Sequence, residues 1–367
     1  PQTNIKYIDK IVVCAGEPIE NNRCLRILNG DRLIAELTYG RLFNAETKGI
    51  TVLEGQPVKK EASAKAYTRR NLIPLDQYIP YSALNQAAYA YFGDGSQKQI
   101  VLDGYLEWRG NSLDYIETNG RNRLKDLIGI WIDAPTASTM DIAPLAEQKL
   151  AEGQRVLIIE LDGLGYENSL KIKEAPFAAN PSFNLQKAKT GLPAISNVSL
   201  ATIATGLTPY DTGITEKGLR DFKEGVSDLF TRMSAIGKSV KIIEGHTVLV
   251  NFGIDQQLNP DSDDNGSTDD EVFASAQAAL EQGTDLTFVH FHGIDDAEHS
   301  FGPYSSEAQK VIEANIEYVD QLLEGFAGFV IICADHGQHN SNDESKPGTH
   351  GILCPEDMLV PLITFSK

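Results

Sequence analysis

The sequence predicts two unlike parts, a smaller β-rich domain over residues 1–132 and an α/β domain over 144–367, joined by a linker at 133–143. Three observations predict this. The first third of the chain alternates in short runs broken by turn residues; DAPTASTMDIA has the Pro/Ser/Thr composition of a connector; and from residue 144 helix-period segments are each followed by a short apolar run. A length of 367 residues agrees, since single domains cluster near about 100–200 residues.

In the leading part, CLRILNGDRLIAEL places Asn29-Gly30 between apolar runs, a hairpin signal, and QKQIVLDGYLEWRGNSLDYIE repeats the pattern. Trp108, Tyr67, Tyr78 and Tyr91 are expected in its core, with a groove lining as the alternative. In the second part, LAEQKLAEG predicts a helix ending at Gly153, and RVLIIELDG a buried parallel strand stopping at Asp162. The unit recurs as VFASAQAALEQG followed by DLTFVHFHGID, with Asp295 at the strand's end. It recurs again as SSEAQKVIEANIEYVDQLLEG, where Ile312, Ile316, Val319 and Leu323 share one helix face, followed by FVIICADHG, which runs into Asp335. Three strands thus deliver an Asp to their carboxyl ends, the edge of an open α/β sheet where ligands bind.

Composition narrows the function classes. Hydrophobic residues make up 41% and charged residues 23%, and no apolar run approaches the roughly 20 residues of a membrane helix. A formal charge of −19 argues against a nucleic-acid duplex as partner, while a small anionic substrate is compatible if bound cations invert the local field. Cys14 and Cys24 could pair as a disulfide, whereas Cys333 and Cys354 lie in apolar surroundings and read as buried thiols. The chain starts at Pro1 without a signal peptide, as expected if a leader has been removed or a longer sequence cut. In NPDSDDNGSTDDE, Asp261, Asp263, Asn265 and Gly266 match the first half of a calcium loop, but position twelve is Val272, so a solvated acidic loop is expected.

The polar groups at the strand exits form a constellation: Asp162, then Asp295 with His299, then Asp335 with His336, then His350 in GTHG before the last strand, LVPLITF. Three carboxylates and three imidazoles suit two zinc ions, with manganese or iron as alternatives, and a pair of cations about 4 Å apart can bind the attacking and leaving oxygens of a displacement at phosphorus. Adjacent Asp335 and His336 can hardly both be buried without a cation or partner. His246, His290, His292 and His339 lack a matching carboxylate spacing and are expected in the core or at the surface, His339 being the first candidate for an exception. A hydroxyl nucleophile is sought in KTGLPAISNVSLATIATG, which offers Ser196, Ser199 and Thr202 on a helical stretch of small residues. Taken alone, Ser196 could equally be a helix N-cap.

ELDG, a hydroxyl residue ten positions before the Gly of TGL, D-x-x-x-H-x-x-G-P, DHG and G-x-H-G, in that order, resemble the alkaline phosphatase superfamily over residues 153–367. Within it the resemblance is to the nucleotide pyrophosphatase/phosphodiesterase branch, with phosphonoacetate hydrolase as a relative. The resemblance implies an alkaline-phosphatase-like mixed sheet flanked by helices. It implies one zinc held by Asp162, Asp335 and His336 with the Ser196 oxygen, and another held by Asp295, His299 and His350. Ser196 stands where the family has its nucleophile, and Ser199 where this branch often has an Asn that contacts the phosphoryl oxygen. Ile294 and Glu298 replace a Pro before the Asp and a Gly before the His.

The expected activity is metal-dependent hydrolysis of a small phosphorylated substrate through a phosphoryl-serine intermediate, most consistent with a phosphodiesterase or nucleotide pyrophosphatase, at an extracellular or cell-surface location. A phosphomonoesterase, phosphonoacetate-hydrolase-like enzyme, phosphomutase or sulfatase on the same scaffold is the alternative, the last without its C-x-P-x-R segment. A non-catalytic surface binding protein is the third reading. Lys189, Lys217 and Arg220 are the few basic residues near the motifs.

Overall fold

The structure is a computed structural model and describes residues 24–53, 67–109 and 112–367. Cys14 lies outside the described residues, and with it the expected pairing to Cys24.

The α/β part is built on a seven-stranded mixed sheet. In chain order its strands are β1 (Val156–Leu161), β2 (Asn184–Lys189), β3 (Val240–Glu244), β4 (Gln257–Leu258), β5 (Leu286–Phe291), β6 (Phe329–Cys333) and β7 (Leu359–Ser366), and they lie in the order β2-β7-β6-β1-β5-β3-β4. The larger helices are α1 (Ile142–Ala151), α2 (Ser196–Thr205), α3 (Asp269–Glu281), α4 (Gly293–Phe301) and α5 (Ser306–Leu323). Strands β6, β1, β5 and β3 run parallel, which puts their carboxyl ends on one edge, while β7 is antiparallel to both β6 and β2. This is the mixed sheet flanked by helices that the sequence predicted. The runs VLIIEL, LTFVHF and FVIIC are buried at every position because helices cover both faces of the sheet. On α5, Ile312, Val319 and Leu323 are buried in the core, with Ile316 packed against it.

One boundary differs from expectation. The strand before Asp295 stops at Phe291, and α4 starts at Gly293, so Asp295 and His299 sit four apart on one helix instead of at a strand end. The carboxylate of Asp269 accepts from the N–H groups of His292 (2.9 Å) and Gly293 (3.2 Å) and holds this sharp turn.

The leading part forms two five-stranded sheets. Leu25–Asn29 and Arg32–Leu37 make the expected hairpin at Asn29-Gly30, and Tyr105–Arg109 pairs antiparallel with Ser112–Ile116. Leu25–Asn29 also pairs in parallel with Leu127–Ile132, so the first and last described strands of this part lie side by side. A third apolar cluster joins the two parts: Leu28, Tyr91 and Trp131 pack with Leu192, Ala194, Leu353, Met358 and Leu359. Tyr91 is accordingly buried, whereas Tyr67 is exposed. The packed loops, 192–194 and 353–359, are those that flank Ser196 and His350.

The acidic loop is closed by its own polar groups. Asp261 accepts from Gly266 N–H at 2.8 Å, and Glu271 accepts from Ser262 N–H at 2.7 Å, in keeping with a solvated loop.

Candidate active site

At the carboxyl edge of the sheet, β1 ends at Leu161 and presents Asp162, while β6 ends at Cys333 and presents Asp335 and His336. All three are buried, Asp162 at 3% exposure and the other two at 0%. His336 Nε2 lies 3.5 Å from Asp162 Oδ1, 3.2 Å from Asp335 Oδ2 and 3.2 Å from Ser196 Oγ. Beside them, His299 Nε2 is 3.4 Å from Asp295 Oδ2, and His350 Nε2 is 3.7 Å from Asp295 Oδ1. The two trios adjoin, with 4.0 Å between His336 Nε2 and Asp295 Oδ1. The six predicted ligands and Ser196, drawn from residues 162–350, are brought to one place.

Each imidazole is held in one tautomer. The Nδ1–H groups of His299 and His350 donate to the carbonyls of Gly348 and Ala194, both at 2.9 Å, and that of His336 donates to Gly337 at 3.2 Å. A carbonyl only accepts, so Nε2 is the nitrogen left to face a carboxylate in all three rings, with Ser196 Oγ also 3.2 Å from that of His336. A metal ion or a proton between nitrogen and carboxylate would satisfy both. Asp162 Oδ1 and Asp335 Oδ2 are buried without a hydrogen-bond partner, as oxygens reserved for a metal would be.

The protonation energetics point the same way. Burial opposes ionisation of Asp162, but the imidazoles of His290 and His292 outweigh it and hold its carboxyl well below the usual range. Burial and the Asp162 charge push Asp335 well above that range, and likewise push Asp295 up to about 8. Burial and the neighbouring His336 push His350 down to about 3, which leaves its ring neutral and able to ligate. Crowded carboxylates opposite the neutral His350 ring fit a divalent cation there.

Gly163 makes this packing possible. At φ +81° its N–H donates to Asp335 Oδ1 (3.1 Å), and a Cβ there would lie 2.9 Å from Asp295 Cα.

Ser196 is the first residue of α2; Ile195 occupies the N-cap and offers no side-chain cap, so the N-cap reading of Ser196 is not realised. The first-turn N–H groups of the helix are therefore left for an anion. Ser199 is placed differently. It is fully buried, its hydroxyl accepts from Thr190 Oγ1 at 3.1 Å, and it does not line the cavity in front of Ser196. Lys189 donates to the carbonyl of Pro135 (2.6 Å) and is likewise directed elsewhere.

That cavity, of about 390 Å³, is lined among others by Asp162, Ser196, Asp295, His246, Asp261 and Asp296, with no Lys or Arg among the lining residues described. Sequence reasoning missed His290 and His292, together with Glu160 and Glu244. The signal was an alternation: H-x-H at 290–292 and E-x-D at 160–162 each put two polar groups on one face of a strand. Gln338 was also missed; it donates to Asp295 Oδ1 at 2.7 Å. His339 is bonded to Asp357 at 2.7 Å.

Residues 246–353 match the family model described as Type I phosphodiesterase / nucleotide pyrophosphatase. The match bears out the resemblance to the alkaline phosphatase superfamily; it includes Asp295, His299, Asp335, His336 and His350, whereas Asp162 and Ser196 precede it. Among curated proteins, GPI ethanolamine phosphate transferase 1 of Emericella nidulans is 32% identical over 110 residues, covering 26% of this chain and 11% of that protein. Its counterpart in Candida glabrata is 30% identical over 108 residues, covering 28% and 11%. The matched stretch thus amounts to about a tenth of these relatives' length. Among solved structures, murine ectonucleotide pyrophosphatase / phosphodiesterase 5 is similar at TM-score 0.46 and 12% identity, covering 57% of this chain and 88% of that one. Phosphonoacetate hydrolase from Sinorhizobium meliloti is similar at TM-score 0.40 and 18% identity, covering 53% and 59%.

Proposed function

We propose that this chain, a phosphodiesterase-family protein over residues 246–353, is a two-cation phosphoryl-transfer enzyme in which Ser196 is the nucleophile. The observation that carries this reading is the common tautomer of His299, His336 and His350, each with Nδ1 tied to a carbonyl and Nε2 turned to a carboxylate. Asp162, Asp335 and His336 would hold one cation, and Asp295, His299 and His350 the other, with zinc the ion best suited to this nitrogen and oxygen set. Once bound, the cations would neutralise the phosphoryl oxygens and lower the proton affinity of the serine hydroxyl.

The protein's own groups do the rest. Ser196 Oγ is held 3.2 Å from His336 Nε2 and lines the cavity, where it would attack a phosphorus bound there and displace the leaving group. The uncapped first turn of α2 supplies N–H donors to a non-bridging oxygen. A phosphoryl-serine intermediate would then pass to water. Ser196→Ala is expected to abolish turnover of bis(p-nitrophenyl) phosphate, by at least about 10³-fold, with zinc still retained by Asp162, Asp335 and His336. Full activity in that variant would reject Ser196.

A second reading is favoured by the cavity wall. With Asp261 and Asp296 present and no basic residue among the described lining, the pocket suits a substrate bearing an ammonium group better than one bearing further phosphates. This agrees with the phosphoethanolamine chemistry named for the curated relatives and implies transfer to an alcohol in place of water. The p-nitrophenyl ester of phosphoethanolamine is expected to turn over faster than that of a nucleoside monophosphate; the reverse order would return the assignment to nucleotide substrates.

A further inference from the structure

Thr190 directly follows β2, is 4% exposed, and is not among the residues that line the cavity in front of Ser196. Its backbone N–H donates to the carbonyl of Met358 at 3.0 Å, and Met358 belongs to the apolar cluster that joins the two parts of the molecule. The residue is thus anchored independently of its side chain. Its hydroxyl donates to the carbonyl of Asp335, and the same oxygen shares a hydrogen bond with the hydroxyl of Ser199 at 3.1 Å.

These two partners belong to the two sides of the candidate site. The Asp335 carbonyl and the His336 N–H form one planar peptide unit, so holding one end turns the other. The N–H donates to Asp335 Oδ1 at 2.8 Å, and among the described residues no group other than Thr190 donates to the carbonyl. The plane of this unit sets the directions in which the Asp335 carboxylate and the His336 ring leave the backbone. On the other side, Ser199 lies three residues after Ser196 on α2 and so neighbours it on the helix. One hydroxyl therefore ties the helix that carries Ser196 to the peptide that joins two ligands of the first trio. The 3.2 Å between Ser196 Oγ and His336 Nε2 spans the gap that this tie closes.

We propose that Thr190 is a positioning residue for phosphoryl transfer, which fixes the separation of Ser196 from the Asp335–His336 pair and acts through Asp335 and Ser199 without touching substrate or ion. The inference rests on the reading of Ser196 as nucleophile beside a cation held by Asp162, Asp335 and His336. Simple satisfaction of a buried carbonyl is the competing account. It predicts lower stability without the hydroxyl but an unaltered kcat in the folded protein, because the Met358 contact keeps residue 190 in place.

Thr190→Val removes the hydroxyl and keeps the branched shape, whereas Thr190→Ser keeps the hydroxyl. In the full chain saturated with zinc, with bis(p-nitrophenyl) phosphate as substrate, Thr190→Val is expected to lower kcat about 10- to 100-fold and leave KM within about 3-fold of wild type. Thr190→Ser is expected to bring kcat back to within about 3-fold of wild type. Wild-type kcat in folded Thr190→Val, or a Thr190→Ser variant as slow as Thr190→Val, would overturn the positioning role. Should Thr190→Val not fold, Ser199→Ala cuts only the tie to α2: a kcat about 10-fold lower at unchanged KM is expected, and wild-type kcat refutes the role. An active wild type with inactive Ser196→Ala and unimpaired Thr190→Val would overturn this inference alone, whereas full activity in Ser196→Ala would overturn the nucleophile reading and this inference with it.

Discussion

His299, His336 and His350 show how little a residue's identity says until the atom opposite its other nitrogen is known. Their Nδ1–H groups are all taken by backbone carbonyls, at 2.9–3.2 Å, so ring orientation is set before any ion arrives. Such outer contacts govern affinity by about 10- to 100-fold. Gln338, which anchors Asp295 Oδ1 at 2.7 Å, is therefore expected to matter although it touches no ion: Gln338→Ala should weaken zinc binding at the Asp295 trio by roughly that factor in a competition titration. Unchanged affinity would show that Asp295 is held adequately by α4 alone. Gly163→Ala forces a Cβ to 2.9 Å from Asp295 Cα at a φ of +81°, and a loss of about 1–3 kcal/mol is expected in chemical denaturation.

Among elements, those with a strong period were legible. The three buried strands, the α5 face and the Asn29-Gly30 hairpin follow from apolar spacing and turn chemistry. The start of α4 was not, because H-G-I-D carries no conventional N-cap; the cap is the carboxylate of Asp269, twenty-three residues earlier in the chain. All six metal-ligand candidates were legible as Asp and His residues following apolar runs or, for His350, in the loop before the last one, whereas Glu160 and His290 were hidden inside runs that read as uninterrupted strand and Glu244 lay in a segment that carried no motif. The burial of Ser199 was hidden too, since its neighbour Thr190 comes from a different segment. The cluster joining the two parts of the molecule could not be read from any one element. Trp131, 0% exposed, packs with Leu192 and Ala194, next to the carbonyl that orients His350. Trp131→Ala is expected to cost about 3–5 kcal/mol by thermal or chemical unfolding and, with correct folding, to lower zinc affinity at the His350 side. A purely local loss would leave that affinity unchanged.

Across the whole molecule, negative charge converges on the carboxyl edge of the sheet in a chain already at −19. Bound cations should therefore count heavily in stability. An ion present at about 1,000 times its dissociation constant adds about 4 kcal/mol to the folded state, so chelation is expected to lower the melting temperature markedly, and zinc to restore it. The leading β-rich part packs its apolar cluster against the segments before Ser196 and after His350, adding to the hydrogen bonds that hold them within the α/β part. The most direct measurement is an anomalous difference map at the zinc edge from metal-loaded crystals. One peak is expected within bonding distance of Asp162, Asp335, His336 and Ser196 Oγ, and another among Asp295, His299 and His350. Peaks elsewhere, or none at these residues after loading, would contradict it.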